Sequence, residues 1–359
     1  MKQYISAVLF FLAFSTHGNE FETYIIEDNP NVTSRIEGFK VFSNGLPYAL
    51  TSENWDDYEK QRHLLLYSCS DVNCKDIKKS KLVPFGNNFE PNIDNYILPR
   101  KAPIFENVSG FPVVFLEKRS KDLRKYFTLI CKTADCSSYV VNEIAQKKKS
   151  DEGYYHFYAD KNTLPTALVL GKKIQCKTQD CEKTKQSKFL STIDDNDNFV
   201  SEYVSNNEVL VENFETNSSK FLSCKNGECS KYDSLNVNQN FYWYRCFDND
   251  FALSKRSKQR QVSSYIRQDL MIKENSTNLN VEEIYACSQN QQKYYISVDM
   301  GNEDYSENRL IVCSDPGCNT IEKNIDTKPF GGIRFIQTDK SNHVWMANSG
   351  YSGILFLRF

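Results

Sequence analysis

The chain has 359 residues, a formal net charge of −2 and 12 cysteines. With charge so near balance there is no global basic field, so a nucleic-acid partner is not expected. No segment after residue 18 approaches the roughly 18 uninterrupted apolar residues of a spanning helix, so no membrane span is expected either.

Met1, Lys2, the apolar run Ile5 to Phe14, and the small residues Thr16 and Gly18 at −3 and −1 of a cleavage point predict a secretory signal peptide over 1–18. The remainder, 19–359, is expected to be one exported, extracellular domain and a monomer. Twelve cysteines in an exported chain predict six disulfides, because that compartment is oxidising. Sequons at Asn31, Asn107, Asn217 and Asn275 predict glycosylation. Phe21 to Glu27 reads as a strand with no neighbour in sequence.

From there the chain repeats. Cys-x4-Cys occurs at Cys69/Cys74, Cys131/Cys136, Cys176/Cys181, Cys224/Cys229 and Cys313/Cys318, with first members 62, 45, 48 and 89 residues apart. A period of about 45 with strand-like content predicts propeller blades, the last gap covering two. The lead-in repeats as well: Gly45-Leu46-Pro47 and His63 to Cys69, Gly110-Phe111-Pro112 and Tyr126 to Cys131, Leu164-Pro165 and Lys173 to Cys176. Each blade is expected to run a, then b (the Leu-Pro strand), then c (ending at the first Cys), then d. The segment at about 84–105 is an insertion that enlarges the passage between blades one and two, too short for an eighth blade.

These units resemble secreted repeat proteins that carry a Gly-Leu-Pro strand and a Cys-x4-Cys hairpin. The segment Thr338-Asp339-Lys340-Ser341-Asn342-His343-Val344-Trp345-Met346-Ala347 resembles the inner-strand unit of gluconolactonase-like and sensor-type propellers. The fold class expected is all-β, a single seven-bladed propeller. Its last blade lacks a d strand, and pairing of Phe21–Glu27 with Ile354 to Arg358 would close the ring and remove an open edge.

Each Cys-x4-Cys pair is expected to be a local disulfide across the c–d turn. Zinc suits the spacing but would need two pairs within reach, and these pairs fall on different blades. Cys246 and Cys287, 41 residues apart, are expected to bridge the inner strands of blades five and six.

Candidate chemistry is sparse. His156 and His343 fall on or near inner strands and are the weak candidates for a catalytic role in the axial channel; neither has a nucleophile or a second ligand near it in sequence. The run Asp194 to Asn198 offers Asp194 and Asn196 as the beginnings of a Ca2+ loop, but lacks the following Gly and the closing Glu; the simpler reading is an Asx-rich turn between strands a and b of blade four. Lys118-Arg119-Ser120-Lys121 and Lys255-Arg256-Ser257-Lys258 are near-copies at the b–c turns of blades two and five, read as solvated hairpin tips. The expectation is therefore an extracellular recognition protein with a protein or glycan ligand, bound through the face formed by the b–c and d–a loops. The alternative is a secreted enzyme, a lactonase-type hydrolase or an oxidoreductase, acting on a small molecule in the channel.

Overall fold

The computed structural model describes 22–27, 35–52, 62–86, 96–99, 104–149, 155–160, 162–169, 172–188, 281–290, 292–301, 306–328, 332–350 and 353–358, together with the strands between 198 and 280. Strand β1 and most of 198–278 are described by backbone and pairing alone. Among the described residues the secondary structure is almost wholly β, in seven four-stranded antiparallel sheets.

In chain order the first sheet is β2 (Arg35–Val41), β3 (Pro47–Ser52), β4 (Arg62–Cys69) and β5 (Ile77–Phe85). The second is β6 (Phe105–Glu106), β7 (Pro112–Arg119), β8 (Leu123–Cys131) and β9 (Tyr139–Lys148). The third is β10 (Tyr155–Asp160), β11 (Thr163–Val169), β12 (Lys172–Cys176) and β13 (Thr184–Lys188). The fourth is β14 (Asn198–Ser205), β15 (Glu208–Asn213), β16 (Ser218–Lys225) and β17 (Glu228–Leu235). The fifth is β18 (Phe241–Tyr244), β19 (Phe251–Arg256), β20 (Gln261–Gln268) and β21 (Met271–Asn280). The sixth is β22 (Glu283–Asn290), β23 (Lys293–Asp299), β24 (Asn308–Cys313) and β25 (Ile321–Asp326). The seventh joins β26 (Phe335–Thr338), β27 (Val344–Gly350) and β28 (Gly353–Arg358) to β1 (Glu22–Glu27), with Tyr24 opposite Phe356 and Glu22 opposite Arg358.

The sheets pack face to face, which is why the central strands carry apolar residues at successive positions rather than at alternate ones. Alternate residues go to opposite faces. In β4, Leu64 and Leu66 pack with Val114, Leu116 and Leu129 of the second sheet, while Leu65 and Tyr67 pack with Trp345, Ala347 and Phe356 of the seventh. Similar layers join the second sheet to the third, the fifth to the sixth, and the sixth to the seventh. Gln337 fastens the seventh sheet to the first, accepting from Val41 N at 2.8 Å and donating to the Phe39 carbonyl at 3.3 Å.

Two turn types recur on one side of the molecule. The a–b turns of the first, second and seventh sheets share one form: Gly45 N donates to the Phe42 carbonyl, Gly110 N to that of Asn107, and Asn342 N to that of Asp339. The donor has φ of 80°, 79° and 66° in turn, the left-handed region that suits glycine or asparagine. In the clipped c–d turns, the second cysteine N–H donates to the carbonyl of Asp71, Thr133, Thr178 or Asp315, at 3.0–3.1 Å. Cys74, Cys136, Cys181 and Cys318 all have positive φ, 46–58°, where a residue with a Cβ is normally disfavoured. Each is tied to the first cysteine of its pair. The fourth sheet differs, since Cys224 lies directly opposite Cys229 in the β16–β17 ladder.

One sequence expectation is corrected. The run that contains Asp194 and Asn196 precedes β14, between the third and fourth sheets, and the a–b connection of the fourth sheet is 206–207. The chain is Asx-rich at both places, and the pattern of Asx residues alone does not say which of them follows the inner strand.

Candidate functional site

The clipped turns do more than close hairpins, because three pairs of neighbouring sheets are each docked through one of them. Ser80 Oγ of β5 donates to the Asp135 carbonyl at 2.5 Å, and Asn142 Nδ2 of β9 donates to the Asp180 carbonyl at 2.6 Å. Both acceptors immediately precede the second cysteine of the next sheet, and both donors stand eleven residues after the first cysteine of their own. Arg358 Nη1 of β28 donates to the Val72 carbonyl at 2.6 Å, carrying the same kind of contact from the seventh sheet to the first. Lys132 pairs with Asp180, and Ser109 Oγ donates to Gln179 Oε1 at 3.1 Å. This side of the molecule is thus a cross-linked frame whose turns are occupied with each other.

The opposite side carries the b–c turns, the links from d to the next a, and the insertion. Part of the insertion is built into the second sheet. Ile97 and Glu117 exchange both backbone hydrogen bonds at 2.8 Å, and Tyr96 bonds the first sheet through Gly86 N at 2.7 Å and the Pro84 carbonyl at 3.1 Å. Ile97 and the two-residue β6 therefore pair along the same strand, β7. The Tyr96 ring meets Phe127 edge to face, centroids 5.3 Å apart, and Lys118 Nζ lies 4.2 Å from its centroid. Burial, then the neighbouring Tyr139, pushes the Tyr96 phenol above its ordinary value.

Beneath Lys118 the Glu117 carboxylate is fully buried and held by Arg119, at 2.7 Å to Nε, with Arg124 Nε at 3.9 Å. A buried carboxylate is tolerated when paired and hydrogen-bonded in this way. Part of the Lys118-to-Lys121 tip is thus used internally. On the same side Asp299, at the end of β23, has a carboxylate that accepts from Gly301 N (2.8 Å), Glu307 N (2.7 Å), Ser306 Oγ (2.6 Å) and Tyr285 Oη (3.3 Å). Burial alone would raise that carboxyl, but the donors outweigh it and hold it below the usual range.

The predicted site residues do not come together. His156 lies on β10 opposite Leu168. His343 sits in the a–b turn of the seventh sheet, with 47% of its side chain exposed and its Nδ1 2.9 Å from Asp339 Oδ2. Asp339 also accepts from Ser341 N, His343 N and Trp345 Nε1, and these bonds draw its carboxyl down against the opposing effect of burial. Asn31, Asn217, Asp194, Asn196 and Cys246 lie outside the described residues. Cys287, on β22, is disulfide-bonded. Asn275 is on β21 opposite Ser264.

Asn107 is 4% exposed. Its Oδ1 accepts from Ser109 N at 2.8 Å and Phe111 N at 2.9 Å, as Asp339 Oδ1 does two and four residues on. Asn107 is a turn cap, almost wholly enclosed, with its Oδ1 taken by the turn. Among the described residues there is no group of three or more His, Cys, Asp or Glu able to hold a metal ion. No helix among them is long and apolar enough to cross a membrane.

Among solved structures the β-propeller domain of Cps50 (Swd1) from Myceliophteria thermophila is similar over 94% of this chain and 99% of its own, with a TM-score of 0.51 at 8% identity. The chain has the β-propeller fold. Also similar are YCF48 from Cyanidioschyzon merolae (TM-score 0.49, 6% identity, covering 94% of this chain and 98% of its own) and an oligogalacturonate lyase in complex with manganese (0.46, 12%, 94% and 95%). At these identities the likeness speaks to fold alone. No family model and no curated protein matches the chain. A propeller with this fold is suited to binding a protein or a small molecule, and four described disulfides are consistent with an extracellular protein.

Sequence reading missed the docking residues and the turn caps. The signal for the first was present, since Ser80, Asn142, Ser187 and Asn324 are small polar residues at the same distance from their cysteines. That for the second was the match of Asn107-x-x-Gly110 to Asp339-x-x-Asn342.

Proposed function

We propose that the chain is a secreted, non-enzymatic recognition protein, one seven-bladed propeller over 19–359 that binds an extracellular protein or glycan through the face of its b–c and d–a loops. Seven sheets in chain order, β1 beside β28, and an apolar layer shared by the first and seventh sheets support a ring closed by the N-terminal strand. Closure would leave no sheet edge open between first and last blades. The reading also takes Cys246–Cys287 as a bridge between blades five and six, glycans at Asn31, Asn217 and Asn275, and a monomeric state.

The observation that carries the recognition reading is the anchored insertion. A loop that adds strand pairing, an aromatic contact and a cation over a ring has been fixed in place on one face, while the turns of the other face are spent on holding blades together. Loops positioned by a rigid scaffold are where binding concentrates.

The test is site-specific photo-crosslinking of the secreted protein in its own extracellular fluid, with the reactive side chain at Lys121 on the loop face or at Asn73 on the clipped face. Adducts to a discrete macromolecule from Lys121 and none from Asn73 are expected. Adducts from Asn73 alone, or turnover of a small lactone or phenol by the purified protein, would overturn the reading.

A further inference from the structure

The outer hairpin of the third sheet, β12 and β13 with the clipped turn between them, has a charge unlike the rest of the chain. Within 172–188 there are six lysines and two acids, a net of +4 in a protein whose total is −2. Lysines on an outermost strand guard an exposed edge against pairing, and Lys185 and Lys188 on β13 are explained in that way. Lys172 and Lys173 are not, because they lie on the strand inside it. Lys172 stands directly opposite Lys188, and like charges placed so are destabilising.

The two acids do little to offset this. Lys132, from the clipped turn of the second sheet, already pairs with Asp180, which leaves Glu182 as the other acid of the hairpin. Lys173 is half-buried; burial, and then the charge of Lys185, lowers its ammonium below the ordinary lysine value. Within 172–188, with Asp180 paired to Lys132, one acid stands against six lysines.

We propose that this hairpin is a binding surface for a linear sulfated polysaccharide. The charges are ammonium groups on flexible stems: Lys172 and Lys188 stand opposite one another, about 4.8 Å apart, on one face of the hairpin, and Lys173 and Lys185 lie on the other, flanking an outer edge that repeating sulfates can follow. Gln175, Gln179 and Gln186 supply amides for hydroxyl groups. The hairpin contains no aromatic residue and no arginine, so it offers neither the stacking that single-stranded nucleic acid uses nor the bidentate fork that reads bases. Lys172 and Lys188 stand at the end of the hairpin that meets the b–c turn and the d–a link, while Lys183 and Lys185 stand at the clipped end, so loss of heparin binding in the Lys183→Ser, Lys185→Ser variant separates this proposal from the loop-face reading.

The experiment uses the full-length secreted protein on immobilised heparin, with desulfated heparin and single-stranded DNA as competitors. The variants are Lys172→Ser with Lys173→Ser, Lys183→Ser with Lys185→Ser, and all four together, against a control with Lys75→Ser, Lys328→Ser and Lys340→Ser. Thermal melting shows that each variant is folded; if the quadruple variant is not, the two doubles carry the test. Wild type and control should bind heparin at physiological salt, the quadruple variant about tenfold or more weaker and each double intermediate, since screened lysine contacts add along such a surface. Desulfated heparin and DNA should compete poorly. No retention of wild type, equal loss in the control, or equal competition by desulfated heparin or DNA would overturn the proposal.

Discussion

The a–b turns and the clipped c–d turns lie on the same side of the molecule and face the same problem, a reversal that needs one residue in the left-handed region. The a–b turns meet it with a residue that tolerates the geometry, Gly45, Gly110 or Asn342. The c–d turns use a cysteine, which does not tolerate it well, and hold it there by a covalent bond. The difference follows from what each turn must do besides turning. An a–b turn is completed by its own side chain, as with Asp339 or Asn107. A clipped turn presents a carbonyl to the neighbouring sheet in three places; of the a–b turns the seventh does so too, through Asn342, and there the left-handed residue is asparagine rather than the freer glycine.

The largest effect should come from the turn that concentrates most bonds on one side chain. Replacing Asp339 by Ala leaves Trp345 Nε1 and two backbone N–H groups without an acceptor. A loss of about 3 kcal/mol, read by chemical denaturation, is expected for several bonds to a charged, half-enclosed group. Little change would mean that water replaces the carboxylate.

Next is the clip itself. Removing Cys131–Cys136 as Cys131→Ala with Cys136→Ala should cost about 2 kcal/mol, the short-loop term, because the alanine inherits the φ of 57° that the cysteine already bears. Cys131→Ala with Cys136→Gly should recover about 1 kcal/mol of that. If the alanine and glycine versions are equally stable, the disulfide is not holding a disfavoured backbone. Asn142→Ala, which removes the donor to the Asp180 carbonyl, should cost about 1 kcal/mol. Gly110→Ala should also cost about 1 kcal/mol, from φ alone, because the added Cβ has Glu106 Oε1 no nearer than 3.7 Å.

Acid gives the smallest and broadest effect. The carboxyls of Asp135, Asp315 and Asp339 are held below their ordinary value by the donors of these turns. Groups depressed in the folded state contribute stability that is present above the unfolded value, near 3.9, and lost as pH falls through the folded value. Stability should therefore be flat above about pH 5 and fall below about pH 4. Asp339→Asn should make that fall shallower; an unchanged acid limb would place the linkage elsewhere.

The propeller was legible because its signals are repeated letters: Cys-x4-Cys, Leu-Pro strands, and a lone strand at the beginning opposite an incomplete blade at the end. The docking was not, because its acceptors are backbone carbonyls, which every residue type carries. The capping role of Asn107 was hidden for a different reason, since Asn-x-Ser reads as a glycan acceptor whether the asparagine faces solvent or caps a turn. The Lys132–Asp180 pair joins residues 48 apart, and only the packing of two sheets brings them together. The charge of 172–188 was legible throughout, but its meaning depended on Lys172 standing opposite Lys188 and on Asp180 being already paired.

Native mass spectrometry of the secreted, deglycosylated protein without reductant addresses the central claim, a fully bridged propeller that recognises a macromolecule and holds no ligand of its own. With 12 cysteines joined as six bridges, the account predicts a bare monomer twelve hydrogens lighter than the reduced chain. A retained metal ion or small molecule, or a mass showing free thiols, would contradict it.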